Sequence, residues 1–299
     1  MPPGEDFRRF EIPDVALFDR GPGGLERLRL KTALADAEIL LQGAHLTRFK
    51  PSHAEHVLFV SEASHFAPGK PVRGGVPVCF PWFAARAGHP ESPSHGFARI
   101  KPWRVAALEG SSALGVRVLL ELESDDETRA LWPCDFVAQL RFEITRQLVM
   151  TLEIENRSPI SWRFEAALHS YFSVSDVRNV SVTGLEGADY VDKVDASRRH
   201  RLAAAPLRID GETDRLFPGS PSTCTIHDPG APRQIIVEKS GSDTTVVWNP
   251  WIGKAAALED FGDDEWPGML CIETANAGEN AIELGPGARH SMTATIRLA

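Results

Sequence analysis

The sequence has few cysteines and no long hydrophobic run. Its four cysteines are widely separated and form no Cys-x-x-Cys pair. We therefore expect buried free thiols rather than a disulfide framework or a thiolate metal site. No stretch approaches the ~20 apolar residues of a membrane span, and no apolar run after Met1 could serve as a signal peptide. These absences predict a cytoplasmic protein.

The sequence also has no excess of positive charge. Its formal net charge is -9 and its pI is about 5.6. Because no broad basic face is available, nucleic acids and anionic membranes are not expected as partners. Any anion must be held by local groups, and we expect a monomer that binds a small molecule.

Helical periodicity is nearly absent, and only residues 61–66 and 126–131 suggest short helices. Apolar and polar residues instead alternate with period two, as at 116–122, 140–144 and 148–154, and the last two runs predict a hairpin. Further short strands are predicted at 37–41, 57–60, 163–172, 180–182, 234–237, 244–248, 269–274 and 292–298. With 299 residues and no evident linker, this pattern predicts one all-β antiparallel sandwich domain over 1–299, with an irregular segment at 1–24.

The stretch from residue 73 to residue 99 combines charge with stiff walls. It begins RGGVPVCFPWF, ends HGFAR, and contains Arg73, His95 and Arg99. Glycines allow close backbone approach to a ligand, and arginine forks match phosphate oxygens. Each arginine alone could equally form a surface ion pair. We interpret the stretch as the floor of a small-molecule site that binds an anion.

Two predicted strands carry residues suited to acid/base chemistry. Read as a strand, residues 163–172 place His169 and Tyr171 on one face. His169 could be a hydrogen-bonded core histidine or a general acid. Glu273 interrupts the apolar strand 269–274, so it must be paired, protonated or turned towards a cavity, as a structural ion pair or a general base. The order along the chain leaves open whether the two residues meet.

Several other polar and aromatic residues have ordinary explanations beside functional ones. Trp248 and Trp251 could pack on a sugar or serve as core or loop anchors, and Lys254 could be a surface charge. Asp214 lies in a turn-rich segment. The acidic run at 259–265 lacks calcium-loop spacing and is expected to be a solvated loop. The histidines in the pairs 53/56 and 89/95 lack a convincing carboxylate set, so no metal is expected.

Six motifs together resemble one known family. They are residues 73–83 (RGGVPVCFPWF), 95–99 (HGFAR), 167–172 (ALHSYF), 212–215 (ETDR), 248–251 (WNPW) and 271–275 (CIETA). In this order they resemble the glucose-6-phosphate 1-epimerases, hexose-6-phosphate mutarotases of the aldose 1-epimerase superfamily. The resemblance runs from about residue 28 to the LGPG at 284–287. Some members have Gln where this chain has Ser94.

The resemblance implies a galactose mutarotase-like β-sandwich that interconverts hexose 6-phosphate anomers without a cofactor. It implies His169 as the acid and Glu273 as the base. It also implies that Arg73, Arg99, His95 and Asp214 bind substrate. Two alternatives stay open: an aldose 1-epimerase for unphosphorylated sugars, and a sugar-phosphate-binding protein that has lost catalysis.

Overall fold

The computed structural model describes residues 7–231 and 233–299. Antiparallel pairing between strands dominates this part of the chain, as the alternating pattern predicts. All four cysteines are buried free thiols, which confirms that prediction. None of the helices in the described ranges is long and apolar enough to cross a membrane.

The larger of two extended sheets has nine strands with regular alternation. Their order is β16 (Leu207–Arg208), β13 (Ser181–Thr183), β18 (Cys224–Asp228), β19 (Arg233–Ser240), β23 (Arg289–Leu298), β9 (Leu148–Asn156), β8 (Phe136–Ile144), β7 (Gly115–Glu123) and β6 (Arg104–Ser111). In β9 every second residue is buried, and Leu148 pairs with Ile144 across the predicted hairpin. One apolar face of this sheet therefore covers the core.

The second sheet has shorter strands, and its central strands β20 and β21 are buried on both faces. Its order is β15 (Arg198–Arg201), β14 (Asp189–Asp192), β17 (Thr213–Pro218), β20 (Thr244–Asn249), β21 (Met269–Asn276), β11 (Ala166–Leu168) and β5 (Val78–Cys79), and β12 (Tyr171–Ser173) also pairs with β21. Every residue of β20 and β21 is buried. Apolar residues of both sheets share one core, which confirms the predicted antiparallel sandwich.

Two smaller sheets complete the described strands. One joins β1 (Ala16–Arg20), β2 (Glu26–Lys31), β3 (Ala35–Leu40) and β4 (His45–Pro51), and the other pairs β10 (Trp162–Phe164) with β22 (Ile282–Leu284). Of the predicted irregular segment 1–24, residues 1–6 lie outside the described residues. The prediction is wrong for β1, because Ala16 and Phe18 bury alternate side chains against the core. That the chain is one domain stays a prediction.

The two α-helices test the few helical predictions. Helix α1 (Asp126–Leu131) is confirmed, and a capping box with Asp125 and Thr128 starts it. The helix predicted at 61–66 is wrong, because the Ser61 hydroxyl bonds to the Glu265 carboxylate and the segment forms a turn. Helix α2 (Trp251–Ala257) was not predicted, and it begins at Trp251, which we expected either to pack on a sugar or to be a core or loop anchor.

Candidate active site

His169 lies at a break in a strand that we predicted to be continuous over 163–172. The break separates β11 from β12, and both pair with β21. The main-chain N–H of His169 donates to the Pro77 carbonyl at 3.1 Å instead of joining the ladder. The imidazole stacks on the Tyr171 ring, with centroids 4.7 Å apart and planes 10° apart. The two side chains therefore share one face, as predicted, and the stacking fixes the imidazole plane.

Glu273 stands on the fully buried strand β21, and its carboxylate meets His169. Its Oε1 atom lies 3.4 Å from Nε2 of His169, and Glu273 is 1% exposed. Within the described residues, Oε2 of Glu273 and Nδ1 of His169 have no hydrogen-bond partner. The sequence left open whether these two residues meet, and the fold brings them together with unused polar atoms at a cavity.

Burial shifts the pKa values of the two residues in opposite directions. It raises the pKa of Glu273 well above its usual value, and the negative charge of Asp214 adds to the rise. It lowers the pKa of His169, and His95, Arg73 and Arg99 lower it further. Both shifts favour the uncharged form of each group. In the empty cavity, burial therefore favours a protonated Glu273 carboxyl and a neutral His169 imidazole.

A cavity of about 360 Å³ opens onto this pair. All six site residues predicted from the sequence line it: Arg73, His95, Arg99, His169, Asp214 and Glu273. A volume of this size suits a small molecule. A larger groove of about 480 Å³ lies elsewhere, beside Arg208 and Arg233. Those arginines donate to main-chain carbonyls, so that groove does not match the convergence of charged groups in the first cavity.

Arg73 enters the cavity already bound to other side chains. Its Nε and Nη2 atoms donate to the Asp260 carboxylate at 3.2 and 3.0 Å, and Nη1 donates to the Tyr171 hydroxyl at 3.3 Å. Since Tyr171 stacks on His169, Arg73 connects the anionic Asp260 to the side of the imidazole. Its positive charge is therefore largely balanced within the protein.

Arg99 is a half-buried cation without such a balance. It lies in a 3-10 helix, Ala98–Ile100, and its Nη2 donates to the Ser94 carbonyl at 2.7 Å. Its Nε is buried without a hydrogen-bond partner, and no carboxylate within the described residues lies at ion-pair distance. Burial lowers the pKa of Arg99, because desolvation disfavours its charged form. A partly desolvated guanidinium with an unused buried donor favours an anionic ligand.

His95 is held as a neutral hydrogen-bond donor. It has a φ of 61°, and its Nδ1 accepts a hydrogen bond from the main-chain N–H of Ala84 at 3.3 Å. Burial lowers the pKa of His95 to about 3, with smaller contributions from Arg99 and Arg73. Because Nδ1 accepts, the proton of the neutral ring belongs on Nε2. His95 can then donate to an oxygen of a ligand without carrying charge.

Asp214 faces the cavity from β17, where it pairs in register with Trp248 of β20. It is therefore not simply a turn residue. Burial raises the pKa of Asp214, while the charges of Lys254 and Lys193 oppose the rise. Both lysines also line the cavity. This end thus combines a carboxylate acceptor with two ammonium donors.

Several cavity residues were missed or misread in the sequence. Asp260 belongs to the acidic run expected to be a solvated loop, and that expectation is wrong for Asp260 because its carboxylate binds Arg73. Trp248 and Lys254 line the cavity, whereas Trp251 packs against Trp266 with ring centroids 4.3 Å apart. Lys193 had no motif to mark it. Across the described residues, no cluster of three or more His, Cys, Asp or Glu residues could hold a metal ion.

Comparison with known proteins covers nearly the whole chain. The sequence model of the aldose 1-epimerase family matches residues 26–297. A relative from Cenchrus ciliaris, provisionally named a glucose-6-phosphate 1-epimerase, is 37% identical over 277 residues, which are 89% of this chain and 82% of the relative. A relative from Salmonella typhimurium with the same provisional name is 38% identical over 254 residues, covering 84% of this chain and 83% of the relative.

Solved structures agree with the sandwich described above. A crystal structure provisionally named a mutarotase, from Salmonella typhimurium, superposes with a TM-score of 0.90 at 32% identity, covering 97% of this chain and 95% of that chain. A galactose mutarotase related enzyme from Lactobacillus acidophilus, at 13% identity, has a TM-score of 0.72, covers 91% of this chain and 96% of that one, and shares the fold. The predicted galactose mutarotase-like fold is confirmed.

Proposed function

The chain belongs to the aldose 1-epimerase family of isomerases, and on that premise we propose that it interconverts the α and β anomers of a hexose 6-phosphate. D-Glucose 6-phosphate is the expected substrate, and the names of the relatives support it. One observation carries the proposal. The buried His169 and Glu273 lie 3.4 Å apart in a cavity that also holds the uncompensated guanidinium of Arg99.

Anomer exchange requires two proton transfers and one bond rotation. The Glu273 carboxylate removes the proton of the C1 hydroxyl, while protonated His169 donates a proton to the ring oxygen. The C1–ring oxygen bond breaks and an open-chain aldehyde forms. After rotation about the C1–C2 bond, neutral His169 takes back the proton as the ring oxygen attacks. The carboxylic acid of Glu273 then protonates the carbonyl oxygen. No redox group or metal is needed, so no cofactor is expected.

The shared burial of the pair acts differently on the two sides of the ring-opening step. Before the step Glu273 is anionic and His169 cationic, and after it both are neutral. Burial raises the pKa of Glu273 and lowers that of His169, so it favours the neutral pair both in the empty cavity and beside the open chain. The charged pair that starts the step is therefore the less favourable arrangement, and it returns to the neutral pair as the ring opens. Each positioned group contributes ~10²–10⁴-fold to the rate.

Arg99 supports a phosphorylated substrate rather than a neutral one. A partly desolvated cation without a counter-ion is costly for a protein to maintain unless a ligand supplies the opposite charge. Its unused Nε can donate to a phosphoryl oxygen, and His95 can add a neutral donor. Arg73 is mostly satisfied by Asp260 and Tyr171, so it would add orientation more than charge.

Saturation-transfer NMR on the anomeric protons tests the proposal. Glucose and glucose 6-phosphate are compared at equal concentrations with the wild-type protein. We expect exchange to be accelerated with much higher efficiency for the 6-phosphate. Equal efficiency on both sugars would favour an aldose 1-epimerase for unphosphorylated sugars, and binding without acceleration would favour a non-catalytic protein. The cytoplasmic location and monomeric state expected from the sequence stay predictions.

A further inference from the structure

The strand order of the second sheet determines which residues lie at each end of the cavity. The order β17, β20, β21, β11, β5 places Asp214 two strands to one side of Glu273. His169, at the end of β11, and then β5 lie on the other side. The segment with His95 comes next, since the Phe80 amide donates to the His95 carbonyl. With strands ~4.8 Å apart, Asp214 and His95 therefore lie on opposite sides of Glu273 across the sheet.

A hexose 6-phosphate can be oriented in this cavity from the positions of its ring oxygen and C1. This orientation depends on the function proposed above. The ring oxygen joins C1 to C5, and C5 carries the phosphorylated carbon. If His169 acts on the ring oxygen, the phosphate points away from Glu273 towards His95 and Arg99, which is four residues further along the chain. The 2-hydroxyl lies on the opposite side of C1. It therefore points towards β17 and Asp214.

Two lysines stand at this Asp214 end of the cavity. Lys193 follows β14, and its main-chain N–H donates to the Asp214 carbonyl at 2.8 Å. Lys254 lies on α2, with Nζ 3.2 Å from Oε1 of Glu212. Both side chains line the cavity. Within residues 7–231 and 233–299, no carboxylate lies at ion-pair distance from the Lys193 ammonium, so its donors are available to a ligand.

We propose that Lys193 and Lys254, together with Asp214, bind the 2-hydroxyl of the sugar and determine specificity for it. A hydroxyl both donates and accepts, so a carboxylate acceptor next to ammonium donors satisfies both of its roles. A sugar without this hydroxyl leaves those polar groups unpaired, which is how a hydrogen-bonding site rejects a deoxy analogue. The phosphate is bound at the other end of the cavity, so it contributes neither to binding of the 2-hydroxyl nor to rejection of the deoxy analogue.

The test compares glucose 6-phosphate with 2-deoxyglucose 6-phosphate. Anomer exchange above the uncatalysed rate is measured for wild type, Lys193→Met, Lys254→Met and the control Lys31→Met, which alters an exposed lysine of β2. We expect Lys193→Met to lower kcat/KM about tenfold for glucose 6-phosphate and less than twofold for the 2-deoxy sugar. Lys254→Met has a smaller effect on the ratio of kcat/KM between the two substrates, because the Lys254 ammonium already forms an ion pair with Glu212. Lys31→Met changes neither substrate.

Two results would overturn the inference while leaving the proposed function intact. In one, Lys193→Met lowers kcat/KM equally for both sugar phosphates. That result would mean that the lysine contacts the phosphate or acts only through the electrostatic potential of the cavity. In the other, it changes neither. Failure of the wild-type protein to accelerate exchange of glucose 6-phosphate would instead refute the proposed function, and this inference would fall with it.

Discussion

Two pairs of residues in one cavity differ in almost every physical respect. His169 and Glu273 are buried groups whose pKa shifts favour their uncharged forms and whose facing atoms lie 3.4 Å apart. Arg73 and Arg99 are permanent cations, of which Asp260 balances only the first. The first pair can move protons but offers little fixed charge, and the second offers charge but no proton transfer near neutral pH. The difference separates the reaction centre from the residues that select an anionic substrate.

Loss of either member of the reaction centre should give the largest effect. Glu273→Gln removes the base and His169→Ala removes the acid, so each should lower kcat ~10²–10⁴-fold. The loss should be similar for glucose and glucose 6-phosphate, because both need the same proton transfers. Anomer-exchange NMR measures the rates, and circular dichroism checks that each variant is folded. Near-normal exchange by either folded variant would refute the assignment.

Replacement of Arg99 should have a large effect on one substrate only. Arg99→Met removes the uncompensated guanidinium and should lower kcat/KM for glucose 6-phosphate about 100-fold, the value of a strong charge-assisted contact. Turnover of glucose should change less than about threefold by the same reasoning. Arg99→Lys keeps the charge without the planar fork and serves as the matched control, with an intermediate loss. An equal loss of kcat/KM for both sugars would place Arg99 in the reaction centre. It would contradict the division between residues that react and residues that select an anionic substrate.

The pH dependence of stability should give the smallest effect and tests the reaction centre without substrate. Burial raises the pKa of Glu273 from 4.5, so the native state keeps a proton that the unfolded state releases above about that pH. The free energy of unfolding contributed by Glu273 therefore falls as pH rises from 4.5 to the raised pKa. Glu273→Gln lacks this titration, so its stability relative to wild type should increase over that range.

Urea denaturation of both proteins at pH 5 and pH 8 measures this difference. His169 titrates in both proteins, and its lowered pKa affects stability mainly below pH 6.5. Its contribution therefore largely cancels when the variant is subtracted from wild type. A stability difference that stays constant with pH would mean that Glu273 is ionised in the folded protein, contrary to the direction that burial imposes.

The regular nine-stranded sheet was the easiest part of the fold to predict. Strands such as β9 bury one face, so apolar residues recur at every second position. Strand β21 is buried throughout and shows no alternation, so only its apolar run marked it. Helix α2 had no sequence signal, because it begins at Trp251 with a φ of 55°. The buried amide of Asn249 holds this start by accepting from the Trp251 N–H. Such a start depends on tertiary contacts.

The candidate site was predictable where residue chemistry was conspicuous. Glu273 was marked by a lone carboxylate in an apolar strand, and Arg99 by an arginine in a glycine- and aromatic-rich stretch. Asp260 was not predictable, because an acidic run usually faces water and only the fold brings it to Arg73. Lys193 reaches the cavity through the pairing of β14 with β17, a contact between distant segments. Sequence patterns indicate side-chain chemistry but not which distant segments meet.

Ligand binding by the Glu273→Gln protein tests the separation of the two pairs most directly. Calorimetric titration measures the Kd of glucose 6-phosphate and of glucose with this variant, in which turnover no longer interferes. We predict that glucose 6-phosphate binds at least tenfold more tightly than glucose, because Arg99 and the rest of the anion-binding end are intact. Equal affinities for the two sugars would contradict the account.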